Sequence, residues 1–347
     1  MTISYSDLLI LGDQKIILDV RSPSEYNHAH IPGAVSLPLF DDQERAHVGT
    51  TYKKISREMA IKIGLDYFGP KMRKMVEDVE HLVSHKDQTI VLHCWRGGMR
   101  SATVAWLLRL YGFNVLVLDG GYKSFRQWVL NNLSKDYNFY LIGGKTGSGK
   151  TMILHELAAR GHTIIDFEGL ASHKGSAFGN IGMPDQPSQE MFENIVSLEV
   201  YHKSRSNQVI WVEDESQRIG AINIPGDLYK IMSKSPVFFL EIPFEQRLKY
   251  IISEYGKLDR TMLVNATQRI QRRLGGLEAN NTINYLMDGD IETAFSILLK
   301  YYDKFYLRSL GKKNHSPDQV QFIACDSVDA KVNAKKLLMH TSKLQSK

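Results

Sequence analysis

The sequence predicts an α/β protein of two domains, each with a parallel sheet, and three observations support this. Short apolar, β-rich runs alternate with helical patterns, a polar stretch over Asn131–Asn138 interrupts the alternation, and a second α/β series follows it. Unbroken apolar strands that alternate with helices are typical of parallel sheets covered on both faces. We therefore expect one domain over residues 1–134 and a second over 135–347, with a helical insertion at about 243–310.

The apolar runs and helical spacings place the individual elements in chain order. The strands predicted for the first domain are Ile16–Val20, Thr89–His93 and Val115–Leu118, and its helices lie near Ser56–Ser84, Ser101–Tyr111 and Tyr122–Leu133. The strands predicted for the second domain are Phe139–Gly144, Thr163–Phe167, Gln208–Asp214, Pro236–Ile242 and Val320–Ala324. The region from Pro243 to Leu310 is predicted to be helical, and a last helix is expected over Ala330–His340.

The composition is that of an ordinary globular protein and excludes some classes. The chain has 347 residues, a net charge of +5 and only two cysteines, Cys94 and Cys325, too few for a disulfide framework or a four-ligand zinc site. No segment resembles a secretory signal or a membrane span, so we expect a cytoplasmic protein without membrane contact. The modest positive charge only weakly indicates a polyanionic partner.

The segment VLHCWRGGMRS, Val91 to Ser101, places Cys94 between a strand and a helix. A loop at such a junction directs backbone amides and a helix dipole at an anion, and the same field lowers the pKa of a thiol. Arg96 and Arg100 could bind a tetrahedral oxyanion through forked hydrogen bonds. The remaining loop residues are Trp95, Gly97, Gly98 and Met99. Two chemistries use this arrangement: a sulfur or selenium carrier, and a cysteine phosphatase, whose His-Cys, five residues, Arg spacing is also met.

The upstream segment ILDVRSPSEYNHAHIPGAVSLPL resembles the opening pattern of the rhodanese family. The matching residues are Asp19, Arg21, Glu25, His30, Ile31, Pro32, Gly33 and Ala34. Some phosphatases share that fold, so the resemblance implies the fold more firmly than the reaction. The cysteine loop is one residue longer than the common rhodanese form, which suggests a substrate that carries both a phosphate and a transferable sulfur or selenium.

The segment GGKTGSGKT matches the phosphate-binding loop pattern between a strand and a helix. Its predicted diphosphate-binding residues are Gly144, Lys145, Thr146, Gly147, Ser148, Gly149, Lys150 and Thr151. Thr151 could bind Mg²⁺ together with Asp214, although the adjacent Glu213 and Glu215 are nearly as good candidates. Asp166 and Glu168 stand at the end of the next predicted strand, where nucleotide kinases hold their acceptor.

Taken together, four segments resemble the tRNA 2-selenouridine synthase family over essentially the full length. They are HCWRGGMRS, GGKTGSGKT, DFEGLASHKGSAFG and WVEDESQRIG, in that order. The resemblance implies replacement of the 2-thio sulfur of the wobble uridine (U34) of tRNA by selenium from selenophosphate, through geranylation of that sulfur by geranyl diphosphate. It also implies two partners, a tRNA with 2-thiouridine and an enzyme that supplies selenophosphate.

The resemblance assigns selenophosphate to the Cys94 loop, and geranyl diphosphate with Mg²⁺ to the Lys150 loop. Whether Cys94 carries selenium covalently or only holds selenophosphate stays open, with the carrier slightly favoured. Candidates for a prenyl slot are Phe167, Phe178 and Met183, and candidates for tRNA contact are Arg272 and Arg273, with Arg247, Lys249 and the segment Leu310–His315. The alternatives are a sulfurtransferase fused to a small-molecule or nucleotide kinase, and a regulatory module with an inactive rhodanese domain.

Overall fold

A computed structural model describes residues 1–12, 15–206, 208–310 and 319–345. The chain divides into two compact units, one made of Met1–Asn132 with Glu193–Ile195 and the other of Leu133–Phe192 with Val196–Lys347. Each unit contains a parallel sheet with helices, which confirms the predicted α/β class.

The first unit is built on a five-stranded parallel sheet. Its strands are β1 (Thr2–Ile3), β2 (Lys15–Asp19), β3 (Val35–Ser36), β4 (Thr89–His93) and β5 (Val115–Leu118). The spatial order is β1-β5-β4-β2-β3, so β4 lies in the middle and pairs along both edges. Ile90, Val91 and Leu92 are fully buried there, which explains why this strand is an unbroken apolar run.

The helices of the first unit cover both faces of this sheet. They are α1 (Tyr5–Leu8), α2 (Pro23–His28), α3 (Asp42–Lys54), α4 (Arg57–Phe68), α5 (Met72–Leu82), α6 (Met99–Tyr111) and α7 (Gly121–Leu133). Helix α3 has no counterpart in the sequence prediction because its few apolar residues lack helical spacing. Its start is nevertheless encoded locally, since Asp41 and Glu44 form a capping box.

The second unit contains a four-stranded parallel sheet and a small antiparallel hairpin. The sheet strands are β6 (Phe139–Gly144), β7 (Ile210–Glu213), β10 (Val237–Glu241) and β11 (Val320–Ala324), and the hairpin strands are β8 (Arg218–Ile219) and β9 (Ile222–Asn223). The sheet order is β11-β10-β6-β7. The strand predicted over Thr163–Phe167 is wrong: Ile164 forms only an isolated bridge to Trp211, because Asp166 already caps the helix that follows.

The helices of the second unit are α8 (Lys150–Ala159), α9 (Phe167–Leu170), α10 (Gln189–Ser204), α11 (Gly226–Met232), α12 (Phe244–Tyr255), α13 (Arg260–Arg269), α14 (Gln271–Leu274), α15 (Gly276–Asp288), α16 (Ile291–Leu310) and α17 (Ala330–Gln345). The helices between β10 and β11 have a core of their own, which also contains Phe178. Phe178 and Phe167 are both buried, so the structure places them in the core. Within the described ranges, no helix combines the length and apolar character needed to cross a membrane.

Candidate functional site

The Cys94 loop connects the central strand β4 to helix α6 in the first unit. Cys94 is 3% exposed, and its Sγ lies 3.3 Å from the hydroxyl of Ser101. The carbonyl of Cys94 accepts a hydrogen bond from the Tyr122 amide (2.8 Å), and that of Trp95 accepts one from Lys123 (2.9 Å). The first turn of α7 therefore binds these two loop carbonyls through its free backbone amides.

Two glycines allow this close approach between the loop and α7. Gly97 has φ +65°, and a Cβ there would lie 2.7 Å from the carbonyl oxygen of Leu118. Gly121 has φ +60°, and a Cβ there would lie 2.4 Å from both the Cys94 oxygen and the Gly97 nitrogen. Both the conformation and the lack of space require glycine at these positions. Gly121 lies outside the cysteine motif, so the motif does not reveal it.

The surroundings of Cys94 favour its thiolate form. Burial alone would raise the pKa of the thiol, but hydrogen bonds from the Ser101 side chain, from the backbone amides of Ser101 and Arg96, and the charge of Arg100 outweigh it, so the pKa is lowered. The Ser101 hydroxyl also lies 3.1 Å from the Gly98 carbonyl, to which it can donate when the sulfur is neutral. Ser101 is thus a contributor that the motif did not reveal.

The two arginines of the loop have different environments. Arg100 donates to Glu25 Oε2 over 2.8 Å, and Arg45 lies 3.5 Å from the other oxygen of that carboxylate. Arg96 is exposed, as are the side chains of Trp95 (40%) and Met99 (46%). Arg100 is therefore positioned by an ion pair, whereas Arg96 is open to solvent.

Residues of the rhodanese-like pattern stabilise the fold of the first unit. Arg21 and Asp19 form a buried bidentate ion pair, and Arg21 also donates to the carbonyl of Ala29 over 2.8 Å. His93, directly before the cysteine, is fully buried, and neither ring nitrogen has a hydrogen-bond partner. Burial lowers the pKa of His93 to about 4, so this imidazole is neutral.

The second candidate site is the phosphate-binding loop between β6 and α8, and it lies in the second unit. The predicted residues Gly144–Thr151 form this loop and the first turn of α8, with left-handed conformations at Gly147 (φ +80°) and Gly149 (φ +70°). Lys150 Nζ lies 3.8 Å from Glu215 and 3.9 Å from Glu213. Burial opposes the charge of Lys150, but these carboxylates outweigh burial and raise its pKa.

The acidic residues of this site have distinct partners. The Thr151 hydroxyl favours the charged form of Glu213 and so lowers its pKa against the effect of burial, and Oε1 of Glu213 is buried without a hydrogen-bond partner. Asp214 instead accepts a hydrogen bond from the Tyr306 hydroxyl (3.2 Å), which itself accepts one from the Gly144 amide (3.3 Å). Glu213 is therefore the carboxylate that the Thr151 hydroxyl influences, and the predicted role of Asp214 at a magnesium site stays a prediction.

Asp166 and Glu168, the two carboxylates predicted at an acceptor site, have different surroundings. Asp166 caps α9 by accepting from the Gly169 amide (2.8 Å) and lies 2.9 Å from Nε2 of His155. Glu168 points towards Gly175. Burial, with the nearby charges of Glu215 and Glu213, raises the pKa of Glu168 to about 9, and burial raises that of Glu213 to about 7.

These groups line one cavity of about 1600 Å³. Its walls come from the phosphate-binding loop, the segment after α9, the acidic run after β7, and helices of the 244–310 region. Five tyrosines also line the cavity: Tyr250, Tyr255, Tyr301, Tyr302 and Tyr306. Met183, a prenyl-slot candidate, also lines the cavity.

The oxygen ligands of this cavity suit Mg²⁺. Thr151 and Glu213 offer a hydroxyl and a carboxylate with an unpartnered oxygen, and Mg²⁺ typically uses one or two such protein ligands together with water and substrate phosphates. In the described residues no cluster of three or more His, Cys, Asp or Glu side chains could hold a metal by itself.

The basic residues predicted to contact tRNA fall into two groups. Arg247 is 2% exposed and bonds to Asp303 and to the carbonyl of Thr146, so it is a structural residue and not a surface contact. Lys249, Arg272 and Arg273 are exposed, and Arg273 lines the cavity. Residues 311–315 of the remaining candidate segment lie outside the described residues.

The fold and the two loops define a class of protein with a rhodanese-like domain followed by a domain with a phosphate-binding loop. Residues 5–127 match the model of the rhodanese-like domain, and residues 137–322 match that of the tRNA 2-selenouridine synthase AAA domain. The chain belongs to the tRNA 2-selenouridine synthase family, which confirms the resemblance seen in the sequence motifs.

Three relatives named tRNA 2-selenouridine synthase illustrate the match. The protein from Psychromonas ingrahamii is 30% identical, over 92% of this chain and 93% of its own. The protein from Shewanella sediminis is 32% identical, over 89% and 91% respectively. The protein from Nitrosomonas europaea is 34% identical, over 77% of this chain and 69% of its own.

Proposed function

We propose that this protein replaces the 2-thio sulfur of wobble 2-thiouridine in tRNA with selenium from selenophosphate, after geranylating that sulfur with geranyl diphosphate. The observation that carries the proposal is the 1600 Å³ cavity, which is lined by the phosphate-binding loop and by five tyrosines. A diphosphate alone would not need this volume or the aromatic side chains, whereas a diphosphate with an apolar chain uses both. Membership of the family supports tRNA as the substrate.

In the first step, the loop amides and Lys150 hold the diphosphate of geranyl diphosphate. The 2-thio sulfur attacks C1 of the geranyl group, and the C1–O bond breaks with its electron pair leaving on the diphosphate. Stabilisation of that leaving charge is the main contribution expected from such a site. Thr151 and Glu213 would hold Mg²⁺, which supplies positive charge beside the leaving group.

In the second step, the Cys94 loop binds selenophosphate through Arg96, Arg100 and the loop amides. Electron balance restricts the role of the thiolate. Attack of Cys94 on selenium would leave phosphorus at the oxidation level of phosphite, which disfavours the covalent selenium carrier considered from the sequence. We therefore assign Cys94 to attack on phosphorus: the S–P bond forms, the P–Se bond breaks, and hydrogen selenide leaves with the electron pair.

The released hydrogen selenide then adds to C2 of the S-geranylated base and displaces geranyl thiolate. Water hydrolyses the phosphocysteine to phosphate and restores the thiol. The second step thus consumes one selenophosphate and one water for each base, releases phosphate and geranyl thiol, and involves no net oxidation. The lowered pKa of Cys94 supports this role, because the thiolate is the nucleophilic form.

Two variants separate the two steps. The protein is incubated with 2-thiouridine tRNA, geranyl diphosphate and selenophosphate, and the wobble nucleoside is identified by mass spectrometry. Cys94→Ser should accumulate S-geranyl-2-thiouridine without selenium, and Lys150→Ala should lose geranyl transfer. Exposed Lys234→Ala serves as the control for loss of a lysine.

Undiminished geranyl transfer in Lys150→Ala would refute the assignment of the phosphate-binding loop. Lys150-dependent ATP turnover without geranyl transfer would instead favour a sulfurtransferase fused to a kinase. Rapid acid quench of the selenium step should trap a phosphoryl group on Cys94, and a selenium adduct on that residue would favour the carrier.

The remaining elements of the proposal concern organisation and partners. We propose that residues 1–134 perform the selenium step and residues 135–347 the geranyl step, in the cytoplasm, where tRNA is available. A selenophosphate-supplying enzyme would feed the first domain. Arg272 and Arg273 are the proposed tRNA contacts.

A further inference from the structure

His173 occupies an unusual position in the cavity of the second unit. It follows α9 in the chain, lines the cavity wall and is 8% exposed. Ser172, directly before it, has φ +50° and is the one non-glycine residue with positive φ in the described ranges. Backbone strain of this kind persists only where the surrounding structure enforces it, and it is common at functional sites.

Two glycines hold the imidazole ring of His173 at its edges. A Cβ at Gly179 would lie 2.8 Å from Cε1 and 2.9 Å from Nδ1, and a Cβ at Gly220 would lie 2.7 Å from Cδ2. Gln186 joins the segments that carry these contacts, since it donates to the carbonyls of Ala171 and Ile219 and accepts from the Ala221 amide. The ring is therefore fixed in place and cannot turn to another partner.

The contacts leave one nitrogen of His173 for a ligand. Nδ1 is buried without a hydrogen-bond partner, and it lies with Cε1 against Gly179. Cδ2 lies against Gly220. Of the two ring nitrogens only Nδ1 is both fully buried and unpartnered, so Nε2 is the one accessible from the cavity that His173 lines.

The charge state of His173 is set by its surroundings. Burial lowers its pKa, and the positive charge of Arg269 on α13 lowers it further. The cavity is also lined by other charged side chains: Lys150, Glu156, Asp166, Glu168, Lys174, Asp185, Glu213, Asp214, Glu215, Arg218, Glu254 and Arg273. His173 is thus neutral at neutral pH and able to accept a proton. Glu168, with a pKa near 9, already holds its proton under the same conditions.

We propose that Nε2 of His173 accepts the N3 proton of the 2-thiouracil ring during geranylation. The inference rests on the proposed function. As the sulfur forms its bond to C1 of the geranyl group and the C1–O bond breaks, the N3–H bond breaks and its proton moves to Nε2, which later releases it to water. The product ring is neutral, with N3 unprotonated.

Proton removal matters because an S-geranylated ring that keeps its N3 proton is a cation. Such a cation readily returns the geranyl group to the neighbouring diphosphate. A base fixed in the same cavity makes the transfer effectively irreversible. General bases of this type typically contribute about 100-fold or more to the rate.

The test is single-turnover geranyl transfer to 2-thiouridine tRNA by the full-length protein, without selenophosphate. His173→Gln should slow transfer by about 100-fold or more. Its rate should then rise with pH as N3 of the substrate ionises by itself, whereas the wild-type rate should be level above the pKa of His173. Imidazole added to His173→Ala should restore part of the rate.

Three controls keep the outcomes distinct. Binding of radiolabelled geranyl diphosphate, measured by equilibrium dialysis, should be unchanged in His173→Gln. If His173→Gln does not fold, His173→Asn takes its place in every measurement. Exposed His202→Gln should behave as wild type. A His173→Gln rate and pH profile equal to those of wild type would overturn the inference alone. Absence of geranyl transfer in the wild type would overturn the proposed function and the inference with it.

Discussion

Arg247 is bound through both terminal nitrogens by the carboxylate of Asp303, over 2.8 Å and 2.7 Å. The same guanidinium donates to the carbonyl of Thr146 in the phosphate-binding loop (3.0 Å) and to that of Ile242 (3.2 Å). One buried side chain therefore connects the loop to helices α12 and α16. The helical region therefore stabilises the phosphate-binding loop through Arg247.

Removing the carboxylate should destabilise the protein strongly. In Asp303→Asn the guanidinium of Arg247 stays buried without its counter-ion, which typically costs about 3 kcal/mol. Urea unfolding followed by circular dichroism measures the free energy of unfolding. Asp227→Asn is the matched control, because its ion pair with Lys230 is largely exposed and should be worth less than about 1 kcal/mol. Equal losses in the two variants would contradict the structural role of Arg247.

The reactivity of Cys94 should depend on Ser101. Ser101→Ala removes a hydrogen bond that lowers the pKa of the thiol, so the pKa should rise and the thiolate fraction at neutral pH should fall. Alkylation by iodoacetamide as a function of pH, with the modified cysteine identified by mass spectrometry, reports both changes. Cys325 provides an internal reference, since burial raises its pKa. If alkylation of Cys94 shows the same pH midpoint in both proteins, Ser101 has no influence on the thiol.

Glu168 should make the protein less stable as pH rises. Its pKa is about 9 in the folded protein against 4.5 ordinarily, so the folded state keeps a proton that the unfolded chain releases between these values. Stability from this group is complete below pH 4.5 and is lost as pH rises through about 9.

Thermal unfolding midpoints of Glu168→Gln and wild type should therefore coincide near the acidic end of that window. They should diverge towards alkaline pH, with the variant higher by about 2–4 °C or more. Glu245→Gln, on an exposed position of α12, controls for the loss of one negative charge. A constant difference across the window would show that the Glu168 carboxyl is not strained by burial.

Charge reversal at Arg272 and Arg273 should weaken binding of all tRNAs alike. Interactions with phosphates carry no sequence information, so the double variant should bind every tRNA less tightly without a change in preference. Filter binding over a range of salt concentrations should show a shallower slope, by about 1 for each phosphate that the protein no longer neutralises. Lys331→Glu, exposed on α17, is the control for added negative charge. An unchanged slope in the double variant would exclude these arginines from the tRNA surface.

Local patterns predicted much of the fold. Strand β4 and strand β5 begin and end at the predicted residues, because each is a short apolar run between polar residues. Thr163–Phe167 has a similar composition but runs beside β7 without forming a strand, since the cap at Asp166 ends its pairing. Composition alone does not distinguish an apolar run that forms a strand from one that runs beside a strand without joining the sheet.

The candidate site also depends on contacts that local sequence patterns do not reveal. The motif brings Lys150 and Thr151 together, but the choice between Glu213 and Asp214 depends on which side chain faces Thr151 and which faces Tyr306. Tyr306 comes from a distant helix, so no local pattern reveals this pairing. The burial of Arg247 likewise depends on Asp303, and His173 is distinguished by its contacts with Gly179 and with Gly220, of which only Gly179 is close to it in the chain.

The Cys94 loop depends on Gly121, which lies outside the loop sequence in helix α7. A single methyl group at this position would clash with the Cys94 carbonyl oxygen and the Gly97 amide nitrogen and would force the loop to move. Such a change leaves every charge and the thiol itself intact, yet it would tilt the amides away from a bound anion. The proposed function therefore predicts loss of selenium transfer on a hydrogen-to-methyl change in a helix that carries none of the proposed reacting groups.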